Sequence, residues 1–350
     1  MSTDFSKEMN HDQHEKMKKN VVYISIFSIV MIFAGFTSAY IVSMGDTFWV
    51  KYPLPNGFIL STTAIALSSF CYLLANKALK NKRFSQLRIW MVLTLVCGIG
   101  FSYFQFRGYT ELVNEGAHFR TSIFVVDGRY GDYFEIKYKG KFIQVDGNEY
   151  TINGEKLSEK QLTELKSFVK PFEKTANISG YSVRPFPSNF ELIAQNEPVK
   201  VEGGKLIAGT KILQYTDMRR LKFLAWNIRD NRGDFYHKGK LGKDFNVFYK
   251  GKELSYKNRN LMFGGKILSA PLQLKANQSR DTSTSYLYII TVLHLLHVLA
   301  ASIYLLRMVI ISFKSDISEK NSLSIRLGSI FWHFLGILWL YLFLFLIYIH

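Results

Sequence analysis

The chain has 350 residues, 48% of them hydrophobic and 15% aromatic, and carries 44 Lys and Arg against 27 Asp and Glu for a net charge of +17. Two cysteines without metal-ligand spacing exclude a disulfide scaffold and a cysteine-rich metal domain. A mean hydropathy of +0.04 hides two unlike parts, because apolar runs of membrane length flank one long polar stretch.

In chain order, residues 1–20 form a mixed-charge tail with Lys16, Lys18 and Lys19. Apolar runs follow at Val21–Val42, Gly57–Asn76 and Ile89–Phe106 within residues 21–109, and at Ser285–Ile311 and Leu327–Ile349 within residues 285–350. Each is near the ~20 residues that cross ~30 Å of hydrocarbon as a helix. The first run follows a mixed-charge tail and has no small-x-small cleavage site, so it reads as a retained helix and not as a secretory signal. The connection from Lys77 to Arg88 holds five basic residues and no acid, whereas the first connection has only Lys51. That bias places the N-terminus and the second connection inside, and residues 110–284 and His350 outside. Both Cys71 and Cys97 fall within spans, so the outer region must hold together without a disulfide.

Residues 110–284 alternate β-branched or aromatic positions with Gly, Asn and Asp, as in FEIKYKGKFIQVDGNEYTINGEKL (134–157) and FNVFYKGKELSYKNRNLMFGGKIL (245–268). The pattern predicts short antiparallel strands and hairpins. A helix is predicted over 158–169, with Ser158 as N-cap, Gln161 completing a capping box, and Pro171 ending it. The two quoted stretches share a constant offset of 111, with Phe134, Tyr138, Gly140, Gly154, Leu157 and Ser158 recurring as Phe245, Tyr249, Gly251, Gly265, Leu268 and Ser269. Upstream, Phe124/Phe235, Gly128/Gly239 and Gly131/Gly242 extend the match, which reads as a degenerate internal repeat over 124–158 and 235–269. The insertion holds 29 Lys and Arg against 20 Asp and Glu, a basic surface suited to an acidic partner or anionic headgroups. An outer location and the lack of a recognised motif argue against nucleic acid. No P-loop, nucleophile elbow or catalytic triad is present, and His118 and His237 stand alone, so the insertion reads as a contact module.

Histidines inside membrane-length helices are costly and mark function or close packing. His294 and His297, three apart, share one helix face and cannot be opposite axial ligands of one haem. By helix rise, His297 and His333 lie at a similar depth, roughly 10–12 Å from the inner surface, so a b-type haem between them is geometrically open. The bland alternative is helix contact or lipid-headgroup contact. Ser and Thr at 37, 38, 61, 62, 63, 68 and 69 suit close helix approach, and none of the five runs contains an acid, which makes the chain a poor proton pump by itself.

Four blocks then carry a family resemblance: SIVMIFAGFTSAY (28–40), YPLPNGFILSTTAIALSS (52–69), SYLYIITVLHLLHVLAA (285–301) and RLGSIFWHFLGILWLYLF (326–343). In this order they resemble subunit III of haem-copper cytochrome c oxidases in its five-helix bacterial form, with a large extracytoplasmic β-rich insertion that the family lacks. The resemblance implies a membrane α-helical bundle of five transmembrane helices in the bacterial cytoplasmic (inner) membrane, serving a proton-translocating oxidase. It implies no catalytic, cofactor or metal residues on this chain. Haem and copper are expected in partner subunits, with subunit I and subunit II as partners and phospholipid bound. His294, His297, Arg307, Trp332, His333 and Trp339 become the candidates for helix contact or lipid headgroups. Family acid positions are occupied here by Ile29 and Gly336, so proton-antenna behaviour does not transfer. Other respiratory subunits or cytochrome c domains are the partners expected for the insertion. The alternatives are a membrane b-type cytochrome using His297 and His333, or a membrane-anchored extracytoplasmic interaction module.

The charge bias generates a topology prediction. A Lys82→Cys variant is expected to react with a membrane-impermeant maleimide only after permeabilisation, while Lys160→Cys reacts in intact cells; the opposite pattern inverts the orientation.

Overall fold

The computed structural model describes residues 11–46, 48–119, 123–124, 133–146, 149–174, 185–232, 236–237, 240–257, 260–278, 282–314 and 317–350. The chain divides into two compact units, one of Met1–Ile41, Leu54–Glu111 and Tyr286–His350, the other of Val42–Pro53 and Leu112–Ser285.

The first unit is helical. Numbered along the whole chain, its helices are α1 (His11–Asp46), α2 (Asn56–Lys80), α3 (Phe84–Asn114), α7 (Thr282–Ser312) and α8 (Glu319–Ile349), and the three intervening helices belong to the second unit. All five are long and apolar enough to cross a membrane, and each extends beyond the apolar run that predicted it. Pro55 precedes α2, where a missing donor does least harm, but it offers no side-chain cap. Glu111 supplies one from α3, its Oε2 accepting from Gly57 N at 3.1 Å, while Arg107 holds the other oxygen at 3.0 Å. The packed interior is aromatic, with Phe33, Phe58, Phe101, Tyr72, Trp332 and Trp339 buried.

The second unit contains short strands and three helices. A strand from the first connection, β1 (Phe48–Lys51), belongs to it, as does β2 (Ile123–Phe124). Then come β3 (Phe134–Tyr138), β4 (Lys141–Phe142), β5 (Gln144–Asp146), β6 (Glu149–Ile152), β7 (Glu155–Lys156) and α4 (Glu159–Val169), which tightens into a 3-10 turn over Lys170–Lys174. Next are β8 (Phe190–Ala194), β9 (Glu197–Glu202), β10 (Lys205–Ala208), β11 (Lys211–Ile212) and α5 (Tyr215–Arg229). After β12 (Tyr236–His237), which pairs in parallel with β2, come β13 (Asn246–Tyr249), β14 (Lys252–Glu253), β15 (Ser255–Lys257), β16 (Asn260–Phe263), β17 (Lys266–Ile267) and α6 (Ala270–Gln278). The capping box at Ser158 and Gln161 is formed. Amphipathic α5 and short α6 were not legible beside it, because their apolar positions are interleaved with Arg, Lys and Gln.

The same order of strands, turns and helix thus occurs three times, at offsets of 56 and then 55 residues. Five buried positions mark it: Phe134, Ile136, Ile143, Tyr150 and Leu157 correspond to Phe190, Leu192, Val199, Leu206 and Leu213, and to Phe245, Val247, Leu254, Leu261 and Leu268. The last pair of each set makes the same backbone bond, Leu157 N to Tyr150 O, Leu213 N to Leu206 O and Leu268 N to Leu261 O, at 2.9, 2.9 and 3.0 Å. The first turn of each run has both central residues at positive φ, at Lys139/Gly140, Gln195/Asn196 and Lys250/Gly251, the conformation that matches strand twist in a tight hairpin. Where the sequence comparison finds two related stretches, the structure therefore shows a third between them. This middle run keeps the burial pattern while most of its residue identities differ. The upstream pairs at Gly128, Gly131, Phe235 and Gly239 lie outside the described residues.

The first two runs join through β3 and β8 in a six-stranded antiparallel sheet of order β11-β10-β9-β8-β3-β4. Their register is nearly twofold, with Ile136 opposite its counterpart Leu192, Phe134 opposite Ala194, and Tyr138 opposite Phe190. The core of this pair lies between that sheet and α4 and α5, and includes Phe168 stacked on Phe190 with ring centres 4.6 Å apart. The third run has no sister strand. β1 takes that place, with Val50 opposite Val247 and Phe48 opposite Tyr249. FWVKY at 48–52 imitates FEIKY at 134–138, and the Phe48–Tyr249 ring contact at 4.6 Å stands where Phe190–Tyr138 at 5.0 Å stands in the first pair. Ser283 Oγ, at the start of α7, donates to Val50 O in β1.

This pairing predicts how an excised outer domain behaves. Residues 112–282 alone leave the β13 edge open, and should self-associate in size-exclusion chromatography. They should also melt several degrees below the same fragment carrying residues 48–52 on a flexible linker, as expected for a loss of about 1–2 kcal/mol in a domain of this size. Equal melting points and equal mass would show that β1 does not stabilise the unit.

Candidate helix-contact site

A chain of polar side chains in the helical unit meets at the contact of α2 with α8 and α3. Ser68 is fully buried and sits at the centre. Its Oγ donates to Thr94 O of α3 at 2.8 Å and accepts from Trp332 Nε1 of α8 at 3.0 Å. One hydroxyl therefore joins three helices. A turn and a half along α2, Thr62 Oγ1 accepts from Trp339 Nε1 at 2.8 Å. Toward the other end, Asn76 Nδ2 donates to Ser329 Oγ at 2.6 Å and Tyr72 OH to Ile325 O at 3.1 Å. Gln105, also buried, donates from Nε2 to Ser61 Oγ at 2.7 Å. Inside hydrocarbon an unpaired donor is costly, and these bonds satisfy the indole, amide and hydroxyl donors named.

The candidate residues fall into three settings. His294 is fully buried among Phe101, Phe33 and Trp339, and its Nε2 donates to Leu335 O at 3.0 Å. A carbonyl only accepts, so this bond fixes Nε2 as the protonated nitrogen. His297 donates from Nδ1 to Leu293 O, 2.7 Å away in its own helix, and lies beside Phe33 of α1. His333 meets Ser69 of α2 at 3.2 Å and stands beside Tyr72. The two residues of the haem alternative thus face different helices. Trp332 and Trp339 are buried hydrogen-bonding anchors, while Arg307 is exposed on α7. Among the described residues no group of three or more His, Cys, Asp or Glu could hold a metal ion.

Glycines set how closely these helices approach. A Cβ on Gly57 would lie 2.4 Å from Gly108 N, and one on Gly98 would lie 2.8 Å from the Trp332 ring. Gly336, at the position where the family resemblance implies an acid, faces Ser69, whose Oγ would be 3.0 Å from an added Cβ. Ile29 is buried in α1. A carboxylate at either place would have to displace existing contacts. The Gly57–Gly108 crossing and the Glu111 cap were not identified from sequence. Their signal is the uncapped start of α2 after Pro55, which demands an acceptor from elsewhere.

With this geometry in hand, the family described as cytochrome c oxidase subunit III matches residues 277–350, which contain α7 and α8. In this region the chain is similar to subunit III, and five membrane-length helices with a β-rich middle region accord with that resemblance. A comparison with curated proteins finds no match.

Ser68→Ala removes both bonds of the central hydroxyl and leaves the Trp332 N–H without its acceptor, so a loss of about 1–3 kcal/mol is expected in reversible unfolding in mild detergent. Gly336→Leu, which forces α2 and α8 apart, should cost at least as much. Ser324→Ala, at a half-buried position on α8 where the hydroxyl bonds the Lys320 carbonyl of its own helix, should leave stability within about 0.5 kcal/mol.

Proposed function

We propose that the five helices serve as the non-redox, subunit III-type component of a cytochrome c oxidase, an oxidoreductase complex, packing on the subunit that carries haem and copper. The observation that carries this reading is the subunit III match over the helix pair that bears His294, His297 and His333. Geometry supports a scaffolding role, because the Ser68, Trp332, Trp339 and Tyr72 side chains bond across α2, α3 and α8 to one another's hydroxyls and to backbone carbonyls. What these helices offer outward is apolar. On α1, Val21, Ile24, Phe27 and Met31 are exposed, a face suited to lipid or to another membrane subunit.

Phospholipid binding belongs to the same proposal. A groove of about 540 Å³ between α1, α7 and α8 is lined by Val21, Val22, Ala300 and Phe331, with Lys18, His297 and Tyr304 among its lining residues. An acyl chain fits the apolar walls, and Lys18 suits a headgroup phosphate. Proton translocation, when the assembled oxidase performs it, is the work of its other subunits in this reading.

Purification of the tagged full-length chain in mild detergent tests the proposal. It is expected to bring down a haem- and copper-bearing subunit in equal amount, while the isolated chain shows no haem absorption band and no stoichiometric metal. A haem band in the isolated chain that disappears in His297→Ala and His333→Ala would replace this reading with the b-type cytochrome.

A further inference from the structure

The threefold recurrence in the outer unit separates residues that its fold requires from residues that it does not. Helix α5 follows the second run as α4 follows the first, so Tyr215, Arg219, Lys222 and Trp226 stand where α4 and its 3-10 extension have Glu159, Thr163, Lys166 and Lys170. At helical pitch these four α5 residues, spaced i, i+4, i+7 and i+11, fall within about 60° of one another on a single face. Tyr215 is 50% exposed and Trp226 39%. The counterpart helix buries its inner face with no aromatic residue at these outer positions. The fold of the run therefore does not account for the two rings.

The charges on this face are equally specific. Arg219 lies over the Tyr215 ring at 6.0 Å and Lys222 over the Trp226 ring at 4.7 Å. Among the described residues neither cation has a carboxylate within ion-pair distance. The one acid of the first turn, Asp217, points inward, its Oδ2 accepting from Gln214 N at 2.9 Å and meeting Lys211 at 3.4 Å. The face thus presents two unneutralised cations, each steadied by a ring, along ~17 Å of helix.

We propose that this face of α5 docks an acidic protein surface, with carboxylates received by Arg219 and Lys222 and apolar side chains covering Tyr215 and Trp226. Tyr, Trp and Arg are the residue types that dominate protein interfaces, and charge matching sets their specificity. A membrane surface fits less well. A helix lying in a bilayer interface separates an apolar face from a cationic one, whereas here rings and cations share one stripe and the cations cover the ring faces. The proposal goes beyond the oxidase reading and holds whichever complex the membrane helices join.

The test uses the full-length chain in native membranes, with benzoyl-phenylalanine placed at residue 215 or 226, and at 163 or 170 as matched controls on the first run. Irradiation is expected to give one and the same protein adduct from 215 and 226, through a peptide carrying Asp or Glu, and none from the controls. R219E/K222E should reduce that adduct about tenfold, while R219K/K222R retains it. Circular dichroism melting of each variant in detergent verifies folding, and a charge-reversed variant that fails to fold is replaced by R219Q/K222Q, expected to lose adduct in the same direction. An adduct with lipid, adducts with unrelated proteins at the two positions, no adduct at either, or an adduct insensitive to charge reversal would each overturn the proposal.

Discussion

A polar group taken out of water has to find a partner, and both units are organised around that requirement. In the helical unit the groups at stake are side chains. Ser68 serves as acceptor for Trp332 and donor to Thr94 at once, so a single small hydroxyl meets the needs of an indole and a helix carbonyl. Because apolar burial provides little drive for helices to associate inside lipid, these bonds and the glycine-permitted contacts at Gly57 and Gly98 specify which helices meet. In the outer unit the groups at stake are backbone donors and acceptors along strand edges, and the remedy is to pair one edge with another.

That second remedy explains the place of β1. The first two runs cover one another through β3 and β8, in the manner of a twofold interface within a single chain. A third run is left over, and the connection between α1 and α2 supplies the missing strand with a sequence, FWVKY, that resembles the one it replaces. The first connection and the insertion therefore share one compact unit, which requires that they lie on the same side of any membrane the helices cross.

Three positions of the same architecture also provide an internal control on function. The five buried positions common to all runs answer to packing. Residues that one run carries alone answer to something else, and on α5 they are exposed, aromatic and cationic. In the helical unit the His294, Trp332 and Trp339 side chains turn inward to neighbouring helices. His294 is wedged among rings and bonded to a carbonyl, and Trp332 and Trp339 each spend their single donor on a hydroxyl of α2.

The sequence by itself determined the five membrane-length helices, the β-rich character of the insertion, the capping box at Ser158 and the resemblance to subunit III in the C-terminal pair. These follow from local hydropathy, from alternation and from short motifs, all of which are properties of neighbouring residues. It did not disclose that Ser68 bonds Trp332 across 264 positions, that Glu111 caps α2, or that β1 completes the third run of the insertion. The middle run also escaped notice, since Phe190, Leu192, Val199, Leu206 and Leu213 preserve burial and not residue identity. Only the tertiary structure decided these matters. Which partner satisfies a buried donor, and which strand covers an open edge, depends on segments far apart in the chain being brought together.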